Sequence, residues 1–311
     1  MIDPIQQDLF DSFDPGMSQD VSGPDKAGKA DVTYVQTGQL LTKPTGFMNA
    51  YDFTLNPYSG CSFGCTYCYA AFFSRDAEKR DTWGYWVDVK ENAIELLDKR
   101  RKSLDDKLIY MSSVTDPYQP IERELELTRR LLEIMAERYK PKLVVQTRSP
   151  LVTRDCDLFQ RIADNGGRVQ VNMTVTTDDE DIRRTFEPFC PANHRRLEAI
   201  KDVQGAGIDT CITMTPLLLV NSNRDFADAL IDTGVAKFIA QPFHFRQGKF
   251  LAGTRDGAYD LMAQKLGCGR SDFEREYLER YRQFFGVLDN KLRHRGLPSL
   301  GEGKDGFAPP F

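Results

Sequence analysis

Short runs of apolar residues recur along the chain from about residue 50, and longer segments with helical spacing separate them. The runs are rich in Val, Ile, Thr and aromatic residues, which is typical of strands that are buried on both faces of a parallel sheet. Each run is short enough to be a strand rather than a helix. The pattern therefore predicts strands at residues 51–55, 107–113, 142–147, 168–175, 208–216 and 236–243.

The segments between these runs predict about five helices. The segment that starts at Asp88 has a potential cap and basic residues near its end, and the segment after Pro120 carries apolar residues along one face. Strands that alternate with helices favour a parallel sheet with crossover connections. We therefore expect an α/β fold, a partial (β/α)6 TIM-type barrel of parallel strands. A doubly wound open sheet is the alternative.

Changes in composition divide the chain into three parts. Residues 1–45 are polar and lack sustained periodicity, so they are predicted to be an N-terminal arm. Residues 46–250 contain the predicted barrel. Residues 251–311 contain a long helical pattern that opens with a capping box, Ser271 and Glu274, and carries an aromatic stripe. We expect this C-terminal helix, and the irregular tail after it, to cover the barrel.

Composition and charge disfavour several classes of protein. Of the 311 residues, 41% are hydrophobic and 28% are charged, as in ordinary globular proteins. A net charge of −5 does not favour nucleic-acid binding, although a local basic groove is compatible with an acidic protein. No apolar run reaches membrane-spanning length and no signal peptide is apparent, so we expect a cytoplasmic monomer. The odd number of cysteines, seven, favours metal or redox chemistry over a disulfide framework.

Three of the cysteines, Cys61, Cys65 and Cys68, lie within the stretch NPYSGCSFGCTYCYA. This stretch follows the first predicted strand, and loops at the carboxyl ends of parallel strands form the active sites of barrel-like folds. An electron-transfer [4Fe–4S] cluster uses four cysteines, so three cysteines leave one iron open. An open coordination position is typical of a catalytic metal centre. The loop therefore predicts a catalytic cluster whose fourth iron binds something other than protein.

Two other interpretations of this loop stay open. Cys65 and Cys68 alone resemble a thioredoxin-like redox pair, but Cys61 then has no explanation. Alternatively, the loop binds zinc with a distant ligand, for which Cys190 and His194 in the segment CPANH are candidates. Both interpretations fit the spacing less well than a catalytic cluster does.

The C-x3-C-x2-C spacing, with Tyr67 directly before the last cysteine, resembles the signature of the radical S-adenosylmethionine (SAM) enzymes. The resemblance implies a [4Fe–4S] cluster on Cys61, Cys65 and Cys68, with SAM bound to the open iron. It also implies reductive cleavage of SAM to a 5′-deoxyadenosyl radical that takes hydrogen from a substrate. An external one-electron reductant of the flavodoxin or ferredoxin type is implied as a partner.

Further motifs resemble the spore photoproduct lyase-like branch of this superfamily, namely SSVTDPYQPIE at 112–122, TRSPLVTRD at 147–155 and TFEPFCPANHRRLEAI at 185–200. This resemblance covers about residues 45–245 and does not identify the substrate. It implies that Thr115 meets the amino end of SAM and that Arg148 meets its carboxylate. The other residues implied at the SAM site are Tyr67, Asp116 and Thr174.

One position departs from the true spore photoproduct lyases, in which a cysteine returns a hydrogen atom to the repaired thymine radical. Ser113 occupies that position, and its O–H bond is much stronger than an S–H bond. Repair of a nucleic-acid lesion is therefore kept as an alternative, and a non-catalytic iron–sulfur protein for electron transfer or sensing is another. The remaining cysteines are interpreted as buried structural thiols; they are Cys156, Cys190, Cys211 and Cys268.

Three residues at or beyond the ends of predicted strands are weaker candidates for substrate contact, namely Tyr118, Gln241 and His244. A single His after a strand is more often a hydrogen-bonded structural residue than a catalyst. The sequence does not identify the substrate.

Overall fold

The computed structural model describes residues 21–245 and 253–311 of the chain. In this part the strands are β1 (Lys26–Ala27), β2 (Ala30–Val35), β3 (Leu41–Thr42), β4 (Phe53–Leu55), β5 (Tyr58–Gly60), β6 (Trp86–Lys90), β7 (Leu108–Met111), β8 (Lys142–Thr147), β9 (Arg168–Thr174), β10 (Asp209–Met214) and β11 (Lys237–Ala240). The helices are α1 (Ala77–Asp81), α2 (Ala93–Asp98), α3 (Glu122–Leu125), α4 (Leu127–Arg138), α5 (Cys156–Asp164), α6 (Glu180–Phe186), α7 (Asn193–Gly205), α8 (Asn223–Ile231), α9 (Asp256–Leu266), α10 (Phe273–His294) and α11 (Gly303–Gly306).

The main sheet contains seven strands in the order β11-β10-β9-β8-β7-β4-β3. From β4 to β11 each strand of this sheet is parallel to its neighbours, and β3 is antiparallel to β4. The parallel strands coincide with the six predicted apolar runs, and helices lie between successive strands. In the described residues β3 and β11 form opposite edges of the sheet, so the barrel is not closed. The predicted partial barrel of parallel strands is confirmed.

Alternation along β9 separates an outer apolar face from an inner polar face. On β9, Val171 and Met173 belong to the main core beneath the helices, whereas Asn172 and Thr174 point to the inside of the barrel. Val171 and Met173 are fully buried, and burial of each such side chain contributes about 1.5–3 kcal/mol to the free energy of folding. The inner face is then available for polar chemistry.

Residues 26–35 and 41–42 form strands, although the polar composition of this region predicts an arm. A second sheet has the order β1-β2-β6-β5. In β2, Ala30 and Val32 are buried while the residues that alternate with them are exposed, which is enough for a half-buried strand. Residues 1–20 lie outside the described residues. The division of the chain at residues 45 and 250 stays a prediction.

Two of the predicted helices differ in the structure. Asp88 does not cap a helix, because it lies in β6 between β2 and β5, and α2 starts only after this strand. The helix predicted after Pro120 is two helices, α3 and α4, separated at Glu126 with a φ of 49°. The buried Glu122 carboxylate accepts the Thr128 N–H at 3.0 Å, a donor that a continuous helix would use itself.

The predicted C-terminal helix is present as α10, which packs on α8. Phe284 of α10 is fully buried, and its ring lies 5.2 Å from the ring of Phe226 on α8. The capping box is wrong, because the Ser271 hydroxyl bonds to the neighbouring Asp272 carboxylate and no side chain caps the helix.

The tail after α10 lies along the free edge of the main sheet. Gly301 pairs with Ile239 of β11, and the Gly301 N–H donates to the Phe238 carbonyl at 2.9 Å. Within the described ranges, none of the helices combines the length and apolar character needed to span a bilayer.

Candidate active site

The three cysteines lie on a loop that connects β5 to a short 3-10 turn at Tyr69–Phe73. The Gly64 N–H donates to the Cys61 carbonyl at 3.2 Å, and the Cys68 N–H donates to the Cys65 carbonyl at 3.1 Å. Gly64 has a φ of 60°, which a side chain would strain. Cys61 and Cys65 are buried and Cys68 is half-buried. The backbone thus folds three thiols into one short loop.

Gln119 and Thr115 connect this cysteine loop to the segment after β7. The Gln119 amide oxygen accepts the Ser62 N–H at 2.9 Å, and its amide nitrogen donates to the Thr115 hydroxyl at 3.3 Å. The Thr115 hydroxyl in turn donates to the Gly60 carbonyl at 2.5 Å. The carboxyl end of β7 therefore lies directly beside the cysteines.

Asp116 joins the ends of β7 and β8. Its buried carboxylate accepts hydrogen bonds from the Thr147 hydroxyl at 2.7 Å and from the Arg148 and Tyr118 N–H groups, each at 2.9 Å. Burial raises the pKa of this carboxyl, although the hydrogen bonds act in the opposite direction. Asp116 therefore fixes the backbone from which the Arg148 side chain extends.

Arg148 reaches from the end of β8 to the cysteine loop. Its Nη1 lies 3.0 Å from the Cys65 Sγ and 2.9 Å from the Tyr67 hydroxyl. The same nitrogen lies 3.1 Å from the Glu187 carboxylate. A guanidinium beside a sulfur favours its thiolate form. The structure thus brings Cys65, Tyr67 and Arg148 together.

Glu187 lies at the centre of this cluster, and sequence reasoning did not select it. Its carboxylate accepts hydrogen bonds from the Tyr67 hydroxyl, from the Thr176 hydroxyl at 2.9 Å and from Arg196 Nη2 at 2.6 Å. Burial alone would raise the pKa of Glu187, but the positive charges of Arg196 and Arg148 outweigh it and hold the pKa at about 2. The motif around Glu187 is recognisable in the sequence. Charged residues are rarely buried, however, so the sequence did not indicate that Glu187 and Arg196 form a buried pair.

The three thiols have different electrostatic environments. Burial raises the pKa of Cys68 to about 12, and burial followed by the charge of Asp116 raises the pKa of Cys61. Burial acts on Cys65 in the same direction, but a hydrogen bond from Cys190 and the charge of Arg148 outweigh it and lower the pKa of Cys65. The thiolate is the form that binds metals, and the surroundings of Cys65 favour that form.

The donor set of the loop fits an iron–sulfur cluster. Among residues 21–245 and 253–311, no three His, Cys, Asp or Glu side chains converge as the ligands of one metal ion do. Cubane cluster ligands each bind a different iron, so their sulfurs need not meet at one point. Of the two candidates for a distant zinc ligand, Cys190 lies beside Cys65, whereas His194 is exposed on α7.

Thr174 belongs to a polar layer inside the barrel. Gln146 Nε2 donates to the Thr174 hydroxyl at 2.8 Å and to the Thr213 hydroxyl at 3.0 Å. The Gln146 amide oxygen accepts the Tyr110 hydroxyl at 2.7 Å. Thr174 and Thr213 are buried and Gln146 is half-buried, so these hydrogen bonds form a layer of linked polar side chains across β7, β8, β9 and β10.

The weaker candidates lie outside this cluster. Tyr118 is 1% exposed and lies beneath Arg154, whose guanidinium carbon is 5.9 Å from the ring centre. The Gln241 amide donates to the Gly303 carbonyl at 3.1 Å, and the His244 side chain is exposed. Gln241 therefore holds the C-terminal segment against the end of β11.

The model of the family described as the Radical SAM superfamily matches residues 55–232, more than half of the chain. The matched range includes the cysteine loop, Arg148 and Glu187. The chain belongs to the radical SAM superfamily. The prediction of a radical SAM enzyme is thereby confirmed, and the non-catalytic alternative loses its support. The superfamily implies a [4Fe–4S] cluster and SAM as cofactors.

Relatives of this radical SAM protein occur in archaea, viruses and bacteria. An uncharacterised protein of Methanocaldococcus jannaschii is 36% identical over 166 residues, which are 53% of this chain and 60% of that protein. An uncharacterised protein of Acidianus two-tailed virus is 28% identical over 282 residues, 85% of this chain and 86% of that protein. A Mycobacterium tuberculosis relative is 28% identical over 172 residues, 54% of this chain and 50% of that protein. The matches thus cover 60% or less of the archaeal and mycobacterial relatives.

Solved spore photoproduct lyases share the fold of this radical SAM chain. A complex with dinucleoside spore photoproduct has a TM-score of 0.51 at 16% identity, covering 86% of this chain and 85% of that one. A variant with bound AdoMet and the same dinucleoside has a TM-score of 0.52 at 15% identity, with the same coverage. The expected resemblance to this branch is confirmed as a likeness of fold.

Proposed function

We propose that Cys61, Cys65 and Cys68 bind three irons of a [4Fe–4S] cluster and that SAM binds the fourth iron. The observation that carries the proposal is the contact of 3.0 Å between Arg148 Nη1 and Cys65 Sγ. It places a cation from the end of β8 at one of the three thiols. In this position the Arg148 guanidinium would stabilise an iron-bound thiolate and could bind the carboxylate of SAM.

When bound, the cluster supplies one electron that cleaves SAM to methionine and a 5′-deoxyadenosyl radical, which takes hydrogen from the substrate. Arg148 meets Cys65, Tyr67 and Glu187 through Nη1. An arginine has five N–H donors, so Nε and Nη2 can bind a carboxylate in a bidentate manner. Arg148 would thus contact the protein through Nη1 and the carboxylate of SAM through Nε and Nη2.

The other implied residues have supporting roles. The Thr115 hydroxyl, which donates to the Gly60 carbonyl, keeps acceptor capacity for the amino group of SAM. Asp116 holds the backbone of Arg148 in place. Thr174 contributes its hydroxyl to the polar layer, and we assign it to the ribose or carboxylate of SAM.

The substrate lies, in this proposal, between the cysteine loop and the polar layer at Gln146. A primary radical must be shielded from water, and the C-terminal segment held by Gln241 contributes to that cover. An external one-electron reductant of the flavodoxin or ferredoxin type supplies the electron. We place the protein, as a monomer, in the cytoplasm, where a reducing environment keeps its seven cysteines free of disulfides.

The proposal is tested by anaerobic reconstitution with iron and sulfide, followed by dithionite and SAM. Mass spectrometry then counts 5′-deoxyadenosine from wild type, Cys65→Ala and Cys156→Ala. We expect nucleoside from wild type and Cys156→Ala, because Cys156 lies on α5 outside the loop, and a loss of at least tenfold in Cys65→Ala. Equal yields from Cys65→Ala and wild type, or zinc in place of iron, would contradict the proposal.

A second candidate is a lyase that acts on a nucleic-acid lesion. Tyr69 favours this candidate, since the residue is 44% exposed beside the loop and its hydroxyl donates to the Ser113 carbonyl. An exposed aromatic ring is a platform on which a base can stack. Ser113, which lacks a thiol, speaks against it. The test is to incubate the reconstituted protein with dinucleoside spore photoproduct and SAM. Intact dinucleoside alongside normal 5′-deoxyadenosine formation would exclude cleavage of this lesion.

A further inference from the structure

A fourth thiol, Cys190, adjoins the cysteine loop, and the proposed function gives it no role. Its Sγ lies 3.6 Å from the Cys65 Sγ and 3.8 Å from the Phe63 carbonyl oxygen. Both Cys190 and Cys65 are buried. Two sulfurs thus meet in the protein interior at the middle cysteine of the loop.

The backbone around Cys190 is fixed. Its N–H donates to the Glu187 carbonyl at 3.1 Å, and its own carbonyl accepts from Arg183 Nη1 at 2.8 Å. Arg183 is buried and also donates to the Glu187 carbonyl, at 3.0 Å. The Cys190 thiol is therefore held against Cys65 by the structure around Glu187.

Two donors converge on the Cys65 sulfur, because Arg148 Nη1 lies 3.0 Å from the atom that Cys190 contacts. An iron-bound cysteine sulfur carries no proton, so between the two sulfurs only Cys190 can donate. A charged sulfur is also a stronger acceptor than the Phe63 carbonyl, which is the other partner within reach of the thiol.

Hydrogen bonds to cluster sulfurs help to set the reduction potential of iron–sulfur clusters. A donor stabilises the reduced state more than the oxidised state, because the reduced cluster carries more negative charge on its sulfurs. Removal of a donor therefore lowers the potential and makes the cluster harder to reduce.

We propose that the Cys190 thiol donates a hydrogen bond to the iron-bound Cys65 sulfur and thereby raises the reduction potential of the cluster. This inference rests on the proposed function, because it requires a cluster on Cys65. Cys190 is a positioning residue that acts through Cys65, and it is not a fourth iron ligand.

The test is a redox titration, followed by electron paramagnetic resonance, of anaerobically reconstituted wild type, Cys190→Ala and Cys190→Ser. We expect Cys190→Ala to keep the iron content of wild type and to have a lower midpoint potential. At the wild-type midpoint, the ratio of reduced to oxidised cluster should fall several-fold, where a tenfold fall equals 59 mV for one electron. Cys190→Ser retains an O–H donor, so its potential should lie between the other two.

Cys211→Ala is the matched control, because Cys211 is also a buried thiol but lies within β10. Its potential should equal that of wild type. An unchanged potential in Cys190→Ala with full iron content would overturn the inference and leave the proposed function intact. Loss of iron specific to both Cys190 variants would make Cys190 a ligand and also overturn it. If wild type itself forms no cluster, the proposed function fails together with the inference.

Discussion

Glu187 and Arg196 form an ion pair in which neither side chain is exposed, with 2.6 Å between Oε2 and Nη2. A buried ion pair is not in itself a source of stability, because both charges have lost their water. Here the other carboxylate oxygen of Glu187 meets Arg148 and Tyr67. The pair therefore serves to hold Arg148 toward Cys65, next to the proposed cluster.

Removal of the Glu187 carboxylate should strongly lower the free energy of unfolding. In Glu187→Ala the buried guanidinium groups of Arg196 and Arg148 lose their shared counter-charge, and such a loss typically costs about 3–5 kcal/mol. Urea unfolding of the metal-free protein measures this as a lower free energy of unfolding. The control is Asp209→Ala, which removes a half-exposed pair with Arg168 at 3.5 Å and should cost less than about 1 kcal/mol. Equal costs in the two variants would contradict the role given to Glu187.

Glu187 should also make stability depend on pH in the acid range. Its pKa is about 2 in the folded protein, against about 4.3 for an unfolded Glu, so its contribution is complete above about pH 5. As pH falls toward 2 the contribution is lost, because the unfolded chain takes up the proton first. None of its partners, the two arginines, Tyr67 and Thr176, titrates in this interval.

The measurement compares wild type with Glu187→Gln, which has no titrating carboxyl group. The difference between their free energies of unfolding should be constant above about pH 5. It should narrow by about 2.5 kcal/mol between pH 5 and pH 2, given 1.36 kcal/mol per pKa unit and a folded Glu187 that is still half ionised at pH 2. A difference that stays constant down to pH 2 would show that Glu187 titrates normally in the folded state.

The sequence was sufficient to predict the parallel strands, because strands buried on both faces are continuous apolar runs. It was not sufficient for β2, where two apolar positions, Ala30 and Val32, alternate with polar residues in a polar region. A short period-2 pattern of this kind becomes a strand only when it has a partner strand. The partner here is β6, whose paired residues lie 55 positions further along the chain, with Asp31 opposite Trp86 and Thr33 opposite Asp88.

The same limit applies to the site. The motif of Cys61, Cys65 and Cys68 could be recognised from the sequence because all three residues belong to one loop. Cys65 and Cys190 are 125 residues apart in the sequence, and neither local sequence predicts their contact. Buried charges such as Glu187 escape prediction for a related reason, since only the folded chain shows which charges are paired away from water.

The C-terminal helix should be an essential part of the folded unit. Phe284→Ala removes a fully buried ring that packs on Phe226 of α8, and such a truncation costs about 3–5 kcal/mol. Phe285→Ala is the control, because the neighbouring Phe285 is half-buried at the edge of the core and should cost less. Chemical denaturation measures both. A Phe284 variant no less stable than the Phe285 variant would mean that α10 contributes little to the core.

Arg148→Lys should weaken SAM binding while leaving the charge in place. Lysine cannot bind a carboxylate in the bidentate manner of a guanidinium, and its single nitrogen would have to be shared among Cys65, Glu187 and SAM. Loss of a charge-assisted hydrogen bond is worth about 1.5–3 kcal/mol, so the Kd for SAM should rise at least tenfold. Calorimetry on the reconstituted protein measures the Kd, and iron content confirms that the cluster is present.

Arg168→Lys, at a half-exposed position at the start of β9, is the matched control and should bind SAM like wild type. If Arg148→Lys binds SAM with unchanged affinity, Arg148 serves the cysteine loop alone, and the carboxylate of SAM must be held elsewhere.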